Sequence, residues 1–229
     1  MQIRYFFTAA ELNQRFADDV AARLASAISE RGVATLVVSG GRTPQGFFKA
    51  LAAKPLDWSK VTVTLADDRF VPLHHDASNE RLVRESLLVE HAKSAQFVSL
   101  YADYPTAEQA VAELNQRVAQ LPTFDVVILG MGEDGHTASL FPCSAELAQG
   151  LADDAADLLA TNPTTAPHQR ISFSRRRLQD SRAVFLHLVG ESKLQVLKQA
   201  ASGDDVSEMP IRVFIKQAQP ELTVMFAAT

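Results

Sequence analysis

The chain switches repeatedly between two hydrophobic periods, and that alternation constrains its fold more than any other feature. Val33–Val38, Val61–Ala66, Phe124–Leu129, Ala183–Val189 and Leu222–Phe226 are short, nearly continuous apolar runs. Runs of this length bounded by turn residues read as strands buried on both faces. Between them lie segments with apolar residues every third or fourth position. Leu12, Phe16, Val20, Leu24 and Ile28 follow Thr8 and Glu11 and stop near Gly32, the pattern of a capped amphipathic helix. Thr43 and Pro44 are expected to open a helix through Phe47, Phe48 and Leu51, with Thr43 as its cap. Ser78 is expected to cap a third helix, Thr106 with Gln109 a fourth, and Glu191 to Ala201 reads as another. Strands alternating with helices require crossover connections, so the reading is a mostly parallel α/β sheet with helices on both faces. The first residues read as leading straight into helix, and Gln149 to His168 as a loop or short-helix insertion.

With 229 residues, the chain fits one domain spanning 1–229. A net charge of −5 leaves no broad basic surface for a nucleic-acid backbone, while a few local cations suffice for one small anion. A single cysteine, Cys143, excludes an internal disulfide or a cysteine-based zinc site. No apolar run reaches membrane-spanning length and no secretory leader is visible, so the expectation is a cytoplasmic protein. Oligomeric state is not legible.

Ligands of open parallel sheets bind beyond the carboxyl ends of the strands, and three strand-ending segments carry chemistry there. Ser39-Gly40-Gly41-Arg42-Thr43-Pro44 combines close-approach glycines with a helix start, which suits an anion. It serves equally as a plain tight turn, and it matches neither nucleotide-loop fingerprint. Gly130-Met131-Gly132-Glu133-Asp134-Gly135-His136 presents a histidine with a carboxylate two residues before it. Such a histidine suits a general base or simply ties down its loop. Asp67-Asp68-Arg69 offers an arginine that can fix a carbonyl or form a surface ion pair. Arg170 and Lys193 are further cations near element ends. His74-His75-Asp76 lacks a third ligand at usable spacing, and Arg175-Arg176-Arg177 reads as a solvated basic patch.

Together the blocks SGGRTP, DDRFVP followed by SNERLVRESLL, and GMGEDGHTASLFP resemble those of the 6-phosphogluconolactonases, in order and approximate spacing over nearly the whole chain. The related glucosamine-6-phosphate deaminases share the glycine turn and the histidine loop. The continuation Thr137-Ala138-Ser139-Leu140-Phe141-Pro142 and the ending Asp-Arg follow the lactonase form. The resemblance implies a modified Rossmann-like fold shared with those deaminases, ribose-5-phosphate isomerases and CoA transferases. It implies hydrolysis of 6-phospho-D-glucono-1,5-lactone in the oxidative pentose phosphate pathway, without metal or organic cofactor and with the small sugar-phosphate lactone as its ligand. By position it makes His136 the catalytic base and Arg69 a substrate contact. Ser39, Gly40, Gly41 and Thr43 become the phosphate turn, with Asp67, Asp134, Arg170 and Lys193 as supporting residues. Asp68 in place of the usual Glu, Cys143 and the three arginines depart from the pattern. A sugar-phosphate deaminase or isomerase, with Asp67 or Asp68 as base, and a non-catalytic sensor are the competing readings.

Overall fold

The computed structural model describes residues 1–229. Its strands are β1 (Gln2–Phe6), β2 (Ala34–Val38), β3 (Val61–Leu65), β4 (Asp67–Arg69), β5 (Gln96–Val98), β6 (Val126–Leu129), β7 (Leu158–Thr161), β8 (Arg170–Phe173), β9 (Val184–Val189) and β10 (Leu222–Ala227). The helices are α1 (Ala9–Arg31), α2 (Gln45–Ala52), α3 (Asn79–Ser86), α4 (Ala107–Val118), α5 (Leu147–Leu151), α6 (Arg175–Gln179), α7 (Glu191–Ser202) and α8 (Arg212–Ile215). No helix is long and apolar enough to cross a membrane.

Seven strands form one sheet in the order β1-β10-β9-β6-β2-β3-β5, with every neighbouring pair parallel. Every residue of β2 and β6 is buried, as their nearly continuous apolar runs lead one to expect. Fully burying one such Val or Leu contributes about 1.5–3 kcal/mol. The register pairs Leu36 with Val126 and Val127 with Val184, so β2, β6 and β9 run side by side. Their carboxyl ends, Val38, Leu129 and Val189, therefore open onto one rim.

The helix signals act as read at three starts. The Thr8 side chain accepts from the Glu11 amide, Ser78 from Arg81 and Thr106 from Gln109. Gly32 ends α1 at φ 80°, a left-handed conformation that glycine adopts without a Cβ clash. Leu12, Phe16, Val20 and Leu24 are the buried stripe of α1. One start differs: α2 has Pro44 at its cap position and no side-chain cap bond, so Thr43 does not cap it.

Other expectations are corrected by the structure. The amino terminus is not helical; Gln2–Phe6 pairs in parallel with β10 at the sheet edge. Asp67–Arg69 is not merely a strand stop. At Ala66 the chain leaves the large sheet, its amide donating to Val38 and its carbonyl accepting from Phe173. Asp67–Arg69 then enters a second, antiparallel sheet ordered β4-β8-β7. The stretch from Gln149 to His168, read as an insertion, supplies β7 to that sheet. Nor are the three arginines a solvated patch. Arg177 is buried, donates to Leu121, Pro122 and Asp180, and lies 3.8 Å from the centre of the Phe124 ring. Arg175 and Arg176 donate to the Leu151 and Ala155 carbonyls, so the run fastens α6 to its surroundings.

Candidate active site

The three strand-ending segments meet in one cavity of about 220 Å³ at the carboxyl rim of the large sheet. Its wall includes Ser39, Gly40, Gly41, Arg42, Thr43, Asp67, Arg69, Asn79, His136, Arg170 and Lys193. Every site residue expected from the sequence lines it except Asp134, which reaches it through His136. Four cations against one lining carboxylate, Asp67, suit an anionic ligand.

The glycine turn follows β2 directly. Gly41 sits at φ 97°, where an L side chain would be strained. Gly40 is required for a different reason: a Cβ there would lie 2.0 Å from Asn79 Oδ1. The Asn79 side chain donates to the Asp67 carbonyl and fills the space that Gly40 leaves. The amides of Gly40, Gly41, Arg42 and Thr43 donate to no acceptor in the protein, and the Thr43 hydroxyl has no partner. Successive free amides ahead of a helix form an anion-binding concavity. Ser39 serves the scaffold instead, donating to the Ile128 carbonyl.

The histidine loop follows β6. The Gly132 amide donates to the His136 carbonyl, and Thr137 Oγ1 to the Gly130 carbonyl, closing the loop on itself. Asp134 Oδ1 lies 2.6 Å from His136 Nδ1 and also accepts from the His136 amide at 3.1 Å. Burial pushes the Asp134 carboxyl up, but the bonds from His136 outweigh it and hold the group below its usual value. A carboxylate on Nδ1 fixes the proton there and leaves Nε2 as the basic nitrogen. A Cβ on Gly132 would lie 2.1 Å from His136 Nδ1, so only glycine admits the ring in this position.

The acidic segment divides its labour. Asp67 Oδ2 accepts from Ser139 Oγ at 2.6 Å, binding β4 to the stretch beyond the histidine. Asp68 turns away and accepts from the amides of Arg69, Asn79 and Glu80, capping α3. Burial pushes its carboxyl up to about 7, against the pull of those amides. Arg69 donates to the Ala77 carbonyl and Arg170 to that of Pro167. Burial of Arg170 lowers its affinity for a proton, and neighbouring Asp67 opposes this only in part. Lys193 donates to the Met131 carbonyl and pairs with Glu133 at 2.7 Å.

His74 and His75 stand apart from the cavity wall, the His75 ring meeting His168 edge-on at 5.1 Å. No three His, Cys, Asp or Glu side chains gather as metal ligands. Sequence reasoning missed Asn79 as a wall residue, because only the folded contact with Gly40 reveals it. Arg42 was visible inside its motif and had no distinguishing mark there. Phe141 has no role legible in its sequence block, yet its ring stacks on that of His136.

Free turn amides, clustered cations and a carboxylate-held imidazole on one rim of an open parallel sheet mark an α/β protein with a site suited to a small anion. The chain belongs to the family of glucosamine-6-phosphate isomerases and 6-phosphogluconolactonases, whose sequence profile matches residues 8–224. It is 46% identical over 218 residues to a 6-phosphogluconolactonase of Rhizobium meliloti, covering 94% of each chain. A crystal structure of a 6-phosphogluconolactonase from Shewanella baltica superposes with a TM-score of 0.98 at 48% identity, covering 100% of this chain and 98% of the other. A monomeric glucosamine-6-phosphate deaminase shares the fold at 16% identity and a TM-score of 0.81, over 99% and 97% of the two chains.

Proposed function

We propose that this protein hydrolyses 6-phospho-D-glucono-1,5-lactone to 6-phosphogluconate, with His136 as general base. The observation that supports this most is the His136–Asp134 pair, held at 2.6 Å, opening on the same cavity as the free amides of the glycine turn. Such a cavity accommodates a substrate with an anion at one end and an electrophilic carbon at the other.

In this reading the 6-phosphate sits on the Gly40–Thr43 amides and the Thr43 hydroxyl. Arg42, Arg170 and Lys193 neutralise its charge. The anchored phosphate places C1 beside His136. Neutral His136 removes a proton through Nε2 from a water molecule as its oxygen attacks C1, and Asp134 stabilises the imidazolium that forms. General-base help of this kind contributes on the order of 10²–10⁴ in rate. Arg69 faces the negative charge that develops on the carbonyl oxygen. When the tetrahedral intermediate collapses, the C1–O5 bond breaks and the imidazolium returns its proton to the ring oxygen. The product is an open-chain carboxylic acid with a free 5-hydroxyl, and the acid then ionises in water.

Asp67 on the cavity wall favours the deaminase reading, which needs a carboxylate base at C2. Its oxygen is already bonded to Ser139 Oγ, which weighs against that role. Assaying the purified chain with both substrates separates the readings. Lactone hydrolysis above the spontaneous rate, with no ammonia from glucosamine 6-phosphate, is expected. Ammonia release without lactone hydrolysis would reverse the assignment.

A further inference from the structure

Phe141 lies five residues beyond His136, buried at 4% exposure. Its ring stacks on the His136 imidazole with centroids 4.0 Å apart and planes 26° from parallel. The guanidinium carbon of Arg170 lies over the same ring, 5.6 Å from its centroid. One aromatic side chain therefore touches both the base and one of the cations assigned to the phosphate.

Three contacts act on the imidazole. Asp134 holds Nδ1, and Gly132 approaches the Nδ1–Cε1 side so closely that a Cβ there would collide. Neither contact fixes the ring plane, because a hydrogen bond at one nitrogen still allows the ring to turn about it. Phe141 supplies the missing constraint by face contact. The contact persists through the reaction, since an aromatic face attracts a cation as well as a neutral ring. The same property holds Arg170, whose Nε is buried without a partner and whose only side-chain bond goes to the Pro167 carbonyl.

We infer that Phe141 is a positioning residue that keeps His136 and Arg170 in mutual register, fixing the reach between the proton acceptor and the phosphate site. This rests on the lactonase reading above. Phe141 itself exchanges no proton and forms no bond to the substrate.

The test uses the full chain with Phe141→Leu, Phe141→Met and Phe141→Tyr, each checked for melting temperature. Leu and Met keep the apolar volume without a π face, while Tyr keeps the face. Phe141→Leu and Phe141→Met are expected to lose roughly ten- to a hundredfold in kcat, the scale of a misplaced catalytic group. They should also bind 6-phosphogluconate more weakly, through Arg170. Phe141→Tyr should recover most of both losses. In the His136→Ala background Phe141→Leu should lower kcat no further, because its kinetic effect passes through the imidazole. Folded Leu and Met variants with wild-type kcat and product affinity would overturn the proposal, as would an undiminished kcat effect in the His136→Ala background. If Leu and Met do not fold, Phe141→pentafluorophenylalanine takes their place, keeping the ring's volume while reversing the charge of its face: weaker binding of 6-phosphogluconate with a lower kcat upholds the proposal, and wild-type values of both overturn it. A wild-type chain inert towards the lactone would overturn the functional reading and this inference with it; an active wild type with an indifferent Phe141 overturns the inference alone.

Discussion

Gly132 and Thr43 allow the two ends of the cavity to be probed by small side-chain changes. Alanine at 132 places a methyl 2.1 Å from His136 Nδ1, and the mobile partner in that clash is the imidazole, not the backbone. Gly132→Ala is therefore expected to keep its melting temperature nearly unchanged and lose on the order of a hundredfold in kcat. A variant with normal kcat would show that the ring position is not critical. Thr43→Ala tests the other end of the cavity. Its hydroxyl has no partner and does not cap α2, so removing it should leave stability intact. A lost hydrogen bond to a charged group is worth about 1.5–3 kcal/mol, so preference for the phosphorylated over the unphosphorylated lactone should fall roughly ten- to a hundredfold. An unchanged ratio of kcat/KM values, measured for both lactones, would move the phosphate away from this turn.

Asp68 joins two elements that the sequence does not show as neighbours. Its carboxyl accepts three amides from β4 and the first turn of α3, and it is buried. Asp68→Ala strands those donors, at a cost of about 3 kcal/mol or more. In a chain of this size that lowers the melting temperature by roughly 6–12 °C. A drop of a degree or two would show that water replaces the carboxyl. Elements with a strong local signature were legible: the apolar runs of β2, β3, β6, β9 and β10, and the helices capped by Thr8, Ser78 and Thr106. β4 was not, because Asp67-Asp68-Arg69 carries three charges, and the buried Asp67 and Asp68 rely on Ser139, Asn79 and Glu80, which sequence does not show as neighbours. β7 and β8 are four residues each and bury their backbone against one another, leaving little periodicity to read. β1 was missed because Gln2 and Arg4 interrupt its apolar residues at an edge where one side faces solvent. The site was legible where motifs end strands; Asn79 and Phe141 were not, since their roles arise from contacts across elements.

For the molecule as a whole, the acid limb of stability should reflect His187, buried between Phe16 and Phe47 with neither ring nitrogen bonded. Burial pushes its imidazole down to about 4. Unfolded, the same group protonates near its ordinary value of 6.5. As pH falls from there towards 4, the unfolded chain gains a proton that the folded chain refuses, so stability is lost on acidification, by on the order of 3 kcal/mol across the window. Asp68, raised to about 7, binds its proton more tightly when folded and opposes that loss in the same range. The diagnostic quantity is thus the difference between wild type and His187→Leu. The variant should lose less melting temperature than wild type between pH 6.5 and 4, and parallel curves would contradict a neutral buried imidazole. The account as a whole turns on His136 acting at the far end of a phosphate-anchored lactone. The most direct test is kcat for 6-phospho-D-glucono-1,5-lactone, corrected for spontaneous opening, in wild type and a folded His136→Ala variant. The account expects the variant to lose at least about 10²–10⁴ in kcat while its affinity for 6-phosphogluconate stays near that of wild type. A folded His136→Ala enzyme turning over at the wild-type rate would contradict it.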